Sequence, residues 1–441
     1  RFTSNQVEDL LTLTNSLEDC TDIQLGSGIF LFRTSLSLNR TKGLRIQGQG
    51  KDKTILKFDP LSNSNGVDAE ALDGFTMMDF TVLDSAKNGV EIRLSQNIIL
   101  DGILVRWSNT TGEKMMNNGA YGIYPVNVTN IILQNSESYF ASDAGLYVGQ
   151  CINALVRYNK AKNNVMGLEI ENTINADVYE NEMENNTGGF LAYDLNKNTI
   201  VSRNIRIHNN RFVGNNFPNF ARTGIVKTVP SGVGMVITST REVEIYNNTI
   251  GNNNTVDIGI LNGLVSVTPD FSAWPINNWH THDIYIHNND FIGSSGTVVD
   301  NGKTSPDRPM GQLLELIHAE FRKSNPNERF PEILIDGVEP GKTTLVFTTW
   351  FGDRIGNSNR ICLEKNTSHL RLLDMNLPAL LQNSEDPTPE SISKSIQSGR
   401  TLVYLSNTSP PYGGNLPGGF ECKGFVFQGF PLEFPSVRGR I

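Results

Sequence analysis

Residues 130–181 contain Asn130-Ile-Ile-Leu-Gln-Asn, then Asn153-Ala-Leu-Val-Arg-Tyr-Asn, then Asn175-Ala-Asp-Val-Tyr-Glu-Asn. Each is a short, largely apolar run opened and closed by asparagine, so the three read as one strand repeated. Working outward, copies recur at Asn97-Ile-Ile-Leu-Asp, Asn204-Ile-Arg-Ile-His-Asn, Val243-Glu-Ile-Tyr-Asn and Ile284-Tyr-Ile-His-Asn. Earlier copies are Leu44-Arg-Ile-Gln-Gly and Phe75-Thr-Met-Met-Asp, and Ile333-Leu-Ile-Asp-Gly reads as a candidate late one. Strand starts at 75, 98, 131, 154, 176, 205, 243 and 284 are spaced 23, 33, 23, 22, 29, 38 and 41. The shortest period suits three short strands and three turns per coil, and the longer spacings mark loops inserted into single coils.

A second strand recurs within the period: Gly89-Val-Glu-Ile, Gly122-Ile-Tyr-Pro, Gly145-Leu-Tyr-Val, Gly167-Leu-Glu-Ile, Gly189-Phe-Leu-Ala and Gly234-Met-Val-Ile. Its first and third residues after Gly are mostly apolar and are expected to point inward, which makes Leu146, Val148, Leu168 and Ile170 core residues. The residue between them is then expected to face solvent, giving an outward row of Glu91, Tyr124, Tyr147, Glu169 and Leu191 on successive coils about 4.8 Å apart. Of 50 asparagines, 34 lie between Asn97 and Asn289, so the polar tract is regional. Asn159, Asn181, Asn210, Asn248 and Asn289 occupy matching positions and are expected to stack at the turns as a hydrogen-bonded ladder, a structural role.

The sequence therefore predicts an all-β, parallel β-helical solenoid. A helical pattern over Gln6–Leu17 supplies an N-terminal cap for the open apolar end. Ile23-Gln-Leu, Ile29-Phe-Leu-Phe and Thr54-Ile-Leu read as strands of the opening coil. After Asn301 the pattern fades: Met310–Lys323 is helix-like, Thr343–Phe351 is strand-like, and Asp386-Pro-Thr-Pro and Pro410-Pro are loop signals. The expected organisation is a β-helix with its cap over 1–300 and a decorated C-terminal extension over 301–441.

The 441 residues carry 37 Lys and Arg against 46 Asp and Glu, a net charge of −9, with no basic run. Nothing supplies the cationic stripe that a phosphate backbone requires, so nucleic acid is not an expected partner. No run approaches about 18 apolar residues, so no transmembrane segment is expected. The chain begins at Arg1, which fits a processed exported protein, and the expected location is extracellular, periplasmic or at the cell surface. Four scattered cysteines make neither a disulfide framework nor a CxxC site, and Cys362 with Cys422 is the one pair suggested as a bridge.

The spacing, the asparagine-rich turns and the opening Gly26-Ser-Gly-Ile-Phe together resemble the right-handed parallel β-helix superfamily of carbohydrate-active and carbohydrate-binding proteins. The resemblance covers roughly 20–300 and implies the fold more firmly than any reaction. Locally, Ala120-Tyr-Gly-Ile-Tyr-Pro is similar to the Tyr-Gly-Phe-Asp-Pro-His signature of mannuronan C5-epimerases, with Tyr121, Gly122 and Pro125 matching. Tyr124 stands where that family has Asp, Val126 where it has His, and its next catalytic Asp would fall near Gly149. The resemblance implies a proton donor or base at Tyr121.

Elimination or epimerisation of a uronate needs a cation on the carboxylate, a base for the C5 proton and an acid for the leaving oxygen. Tyr121, Arg106 and Lys114 are the candidate catalytic residues, with Arg157 a further available cation. Tyr124, Tyr147, Glu169, Glu91 and Asp143 are candidate substrate-binding residues, since tyrosine rings suit sugar faces and carboxylates accept from sugar hydroxyls. A two-carboxylate glycosidase fits less well, because Glu91 and Glu169 stand three coils apart, about 14 Å. Asp143 with Glu169 is nearer. Trp274 to His282 forms an aromatic, imidazole-rich insertion in which His280 and His282 share a face, but no third ligand is evident, so neither a metal nor another cofactor is expected. The expected function is to act on or bind a polysaccharide, with lyase or epimerase chemistry on a uronate. The alternative is a non-catalytic β-helix that binds an envelope protein or glycan.

Overall fold

The computed structural model describes residues 1–195, 198, 200–263, 281–293, 309–324, 326–327, 330–336, 361–367, 370–374 and 403–405. Trp274–His280, Thr343–Phe351 and Cys422, on which sequence expectations rest, lie outside them. The fold is a right-handed parallel β-helix, and its contacts divide it into two compact units. One comprises Arg1–Glu184 with Phe220–Gly224; the other comprises Asn185–Asn219 and Ile225–Phe427.

In the first unit, helix α1 (Val7–Thr14) turns Val7 and Leu10 into the interior and packs on the opening strands, as expected of the cap. Successive coils then stack in register. Phe75 pairs with Ile98, Ile98 with Ile131, Ile131 with Ala154 and Ala154 with Ala176, all within parallel strands. The second strand stacks likewise, Glu91 on Tyr124 and Tyr147 on Glu169. A third stack, represented by Glu137–Tyr139, Lys160–Lys162 and Glu182–Glu184, completes each coil and carries the ion pairs Lys160–Glu182 and Lys162–Glu184 on its outer face. Strand alternation sends one set of side chains inward on every stack, and Leu146, Val148, Leu168 and Ile170 are wholly buried as expected.

In the second unit Ile205, Val243 and Ile284 stack in the same way, and Ile284 continues onto Ile361. The late copy of the first strand is therefore Ile361–Glu364. Ile333–Ile335 pairs instead with Ile258 and Leu372, which corrects its assignment: it belongs to the second-strand stack. Helix α2 (Pro309–Ser324) forms where the helical pattern places it and buries Leu314, Ile317 and Phe321 against Val233, Val256 and Leu334.

Asparagine ladders hold the turns. In the first unit Asn159 is buried, donates from Nδ2 to Leu133 O, and bonds Asn181 Oδ1 at 2.9 Å. In the second, Asn210, Asn248, Asn289 and Asn366 repeat the same bonds rung by rung. A further ladder joins Asn97, Asn130, Asn153 and Asn175, the residues that open each strand. All four have φ between 58° and 63°, a left-handed turn that asparagine tolerates better than most residues. The repeated asparagine therefore serves both backbone and side chain.

Asn248 accepts at Oδ1 from the Asn210 backbone N–H and donates to Ile207 O and Asn289 Oδ1. Replacing Asn248 by Ala removes a hydrogen-bond partner from two buried backbone groups of the preceding coil, the Asn210 N–H and the Ile207 carbonyl, and from the Asn289 side chain of the next, at a cost on the order of 3 kcal/mol. The midpoint of chemical denaturation checks this.

Candidate functional site

The sequence-predicted residues converge on the outer face of the second-strand stack, where three strands of the first unit present a small grid. Tyr124 and Val126 come from Ile123–Gln134, Tyr147 and Gly149 from Ala144–Gly149, and Glu169 and Glu171 from Met166–Glu171. Register places Tyr147 against Glu169 and Gly149 between Val126 and Glu171. Each pair is two residues apart on its strand, so both side chains share the outer face.

That face is not the open row expected from alternation. Tyr147 is 1 % exposed and Glu169 is 0 % exposed, while Tyr121 and Tyr124 are half-buried above them. The cover is aromatic. Tyr121, carried by the turn that precedes the strand, stacks on Tyr124 at 4.3 Å between ring centroids and meets Tyr147 edge-on at 5.1 Å. Tyr124 and Tyr147 lie 4.4 Å apart. The turn is fixed by backbone bonds from Ser142 to Gly119 and from Asp143 to Ala120.

Tyr147 donates its hydroxyl to Glu171 at 2.6 Å, reaching diagonally across Gly149. A Cβ at Gly149 would collide with that hydroxyl, so a glycine is required there. This explains the departure from the epimerase pattern: the space for an acidic side chain at this position is filled by a phenol. Val126 is buried, and the neighbouring Cys151 thiol donates to Gly149 O and is pushed up to about 12 by burial, so it is not a nucleophile.

Burial raises the Tyr121 hydroxyl far above its ordinary value, and the charges of Asp143 and Glu169 raise it further. Tyr124 is pushed up to about 12, by burial first and then by Glu171 and Glu91. Both phenols therefore stay protonated, and Tyr121 hydrogen-bonds Asp143. Asp143, 8 % exposed, is raised to about 7 by burial, against a hydrogen bond from Tyr121 and with help from the charge of Glu171. Among the described residues its Oδ1 has no hydrogen-bond partner. Sequence reasoning placed Asp143 beside the row; only the enclosure makes it a group that exchanges a proton near neutrality.

The remaining candidates lie apart or are committed elsewhere. Glu91 neighbours Tyr124 but is held by Arg93 at 2.6 Å and by Asn65 and Asn88. Arg106 is exposed on the third-strand stack beside Tyr139, and Lys114 is exposed in the short helix Gly112–Asn117. Arg157 donates to Gln134 and Tyr179. The strongest charges acting on Tyr121 and Tyr124 are all negative. His282 bonds Asp283, and among the described residues no group of three His, Cys, Asp or Glu is placed to hold a metal ion. Cys20 and Cys151 are free thiols, and Cys362 is disulfide-bonded.

A family described as "right handed beta helix region" matches residues 61–291, more than half of the chain and all of the tyrosine face. The chain belongs to that family. No curated protein sequence matches this β-helix. Among solved structures it is similar in fold to the A-module of the Azotobacter vinelandii mannuronan C-5 epimerase AlgE4, with 13% identity over 82% of this chain and 90% of that one and a TM-score of 0.48. A Yersinia enterocolitica family 28 exopolygalacturonase shares 11% identity over 67% of this chain and 66% of its own, with a TM-score of 0.47. The periplasmic alginate epimerase AlgG shares 13% over 65% and 78%, with a TM-score of 0.39. Among the described residues of this β-helix no helix is long and apolar enough to cross a membrane.

Proposed function

We propose that this β-helix binds a polysaccharide across the Tyr121–Tyr124 platform as an exported protein, and that any chemistry it performs is proton transfer through Tyr121 and Asp143. One observation carries the reading: a half-buried tyrosine pair presents ring faces and hydroxyls at the surface while a carboxyl raised to about 7 lies hydrogen-bonded beneath it. Aromatic faces pack on sugar rings, and a donor backed by a group that titrates near neutrality is suited to acid–base steps at that ring.

Uronate elimination or epimerisation is the reaction this pair would serve, and it requires a cation opposite the sugar carboxylate. Arg106 and Lys114 are the expected cations, and both project from parts of the fold other than the grid. Non-catalytic glycan or envelope-protein binding is the second reading, favoured by Val126 and Gly149 at the positions where the epimerase pattern carries His and Asp.

A glycan array on the intact chain, followed by ultraviolet detection of unsaturated products and nuclear magnetic resonance of uronate stereochemistry, tests the proposal. Retention of a glycan with product formation supports catalysis; retention alone supports the second reading; no retention of any glycan overturns the platform. Tyr124→Ala is expected to weaken the retained glycan by about 1–3 kcal/mol, comparable to losing one stacked ring. Parent-like affinity in that variant would remove Tyr124 from the site. Tyr147 is a poor probe, because its loss also removes a hydrogen bond from the buried Glu171 carboxylate.

A further inference from the structure

In the second unit the second-strand stack runs through Gly188–Tyr193, Val233–Thr238, Val256–Leu261 and Ile333–Ile335, with Leu191 paired to Val236, Val236 to Gly259 and Gly259 to Leu334. Their neighbours Phe190, Met235, Ile258 and Ile333 are wholly buried, so the Leu191 row is the outer face of the sheet. A covering layer stands over that row: the short helix Ile225–Thr228, the following Val229 and Pro230, and Leu314 of α2.

Between sheet and cover lies a cavity with about 690 Å³ of space, its open mouth included. Leu191, Val229, Val236, Leu261, Leu314 and Leu334 form most of its wall. Thr228, Thr238 and Tyr193 bring the polar side chains, and among the described residues no wall residue carries a charge at neutral pH. Val229, Val236 and Leu261 remain only partly buried although they pack against the apolar cluster beneath α2.

The floor carries an independent signal. Gly259 sits in the middle of an outward row whose other members are Leu or Val. Its backbone is not in the left-handed region, and among the described residues a Cβ there would meet only Met235 O and a Val236 methyl, both at 4.0 Å. Neither conformation nor close packing requires glycine. Its effect is to leave a side-chain-sized gap in the cavity floor.

We propose that this cavity binds an uncharged apolar molecule, an alkyl or aryl chain, held by burial of hydrocarbon surface and oriented by Thr228, Thr238 and Tyr193. A charged ligand is disfavoured because the described wall residues offer no counter-ion, and burying an unpaired charge is costly. The site is separate from the tyrosine platform, and its test does not depend on the reading given there.

The intact chain is titrated with N-phenyl-1-naphthylamine, a neutral fluorophore whose emission rises in apolar surroundings, and the complex is challenged with dodecanol. Saturable one-to-one binding, displaced by dodecanol, is expected. Gly259→Phe fills the floor and is expected to weaken the probe by about tenfold or more, as befits an aromatic ring occupying ligand volume, with a melting temperature equal to or above the parent's. Val229→Lys places a charge in the cover and is expected to weaken it comparably, which keeps the test decisive if Gly259→Phe folds poorly. No saturable binding by the parent, or parent-like binding in a folded variant of either kind, overturns the proposal.

Discussion

Replacing Leu168 by Asp is expected to abolish folding. Leu168 is wholly buried, stacked on Leu146 of the preceding coil, and flanked on its strand by outward positions. The substitution removes a core side chain, which alone costs about 2–5 kcal/mol. It also forces a carboxylate into hydrocarbon or obliges it to fold protonated, adding several kcal/mol more. The sum approaches the ~5–15 kcal/mol total stability of an ordinary domain. Each coil of a solenoid is supported chiefly by its neighbours, so failure at one coil removes a wall from the next. Circular dichroism and a melting curve check the outcome, with Asn127→Asp at an exposed position of the Ile123–Gln134 strand as the control. A parent-like melt for the Leu168 variant would show that the inward set has been assigned to the wrong face.

Stability is expected to fall as pH rises from about 4 through 7. Two buried carboxyls cause this. Asp143 and Asp257, 8 % and 0 % exposed, are both raised from 3.8 to about 7. Burial is the main cause for each, assisted by the charge of Glu171 at Asp143 and of Glu332 at Asp257. Between these values the native chain keeps protons that the unfolded chain releases. The contribution is therefore fully present below the unfolded value and lost as pH climbs through the folded one. Each unit of difference corresponds to about 1.4 kcal/mol, so each carboxyl shifts stability by an amount on the order of 4 kcal/mol across the window. Glu137 works in the opposite sense: burial raises its carboxyl, but hydrogen bonds from Lys51 and Tyr139 hold it below the usual value, so its contribution is lost on acidification. Urea midpoints measured across pH 5 to 8, roughly the window where the two Asp titrate, should decline in the parent. They should flatten in Asp143→Asn with Asp257→Asn. A flat profile in the parent would mean that neither carboxyl is protonated in the native state.

The strand stacks were legible because a coil repeats its own geometry. Side chains alternate every residue and successive coils must match in length, so the period of 22 or 23 and the paired apolar positions determine which residues touch. Ile361-Cys-Leu-Glu escaped notice because 77 residues separate its start from Ile284, with no copy of the same strand between them. Ile333-Leu-Ile went to the wrong stack for a related reason. A short apolar strand looks alike on any face of the coil, and only its partners Ile258 and Leu372 identify it.

The tyrosine face divides along the same line. That Tyr124, Tyr147 and Glu169 share a face was determined by the sequence, since strand alternation leaves no other arrangement once Leu146 and Leu168 are inward. Their depth was not, because burial depends on what lies above a strand. Tyr121 reaches over from a neighbouring turn, and Gly149 leaves room for Tyr147 to lie flat against Glu171. Neither fact has a period. The proton affinity of Asp143 follows from that enclosure, and the Gly259 cavity from a cover supplied by residues 225–230 and 314, far from the floor in sequence. The sequence by itself determined the repeating strand, its inward residues and its asparagine ladders, all local and periodic. Tertiary structure alone decided which outward residues are covered, which carboxyl titrates near neutrality and where a cavity remains, because each depends on contacts between segments that no repeat relates.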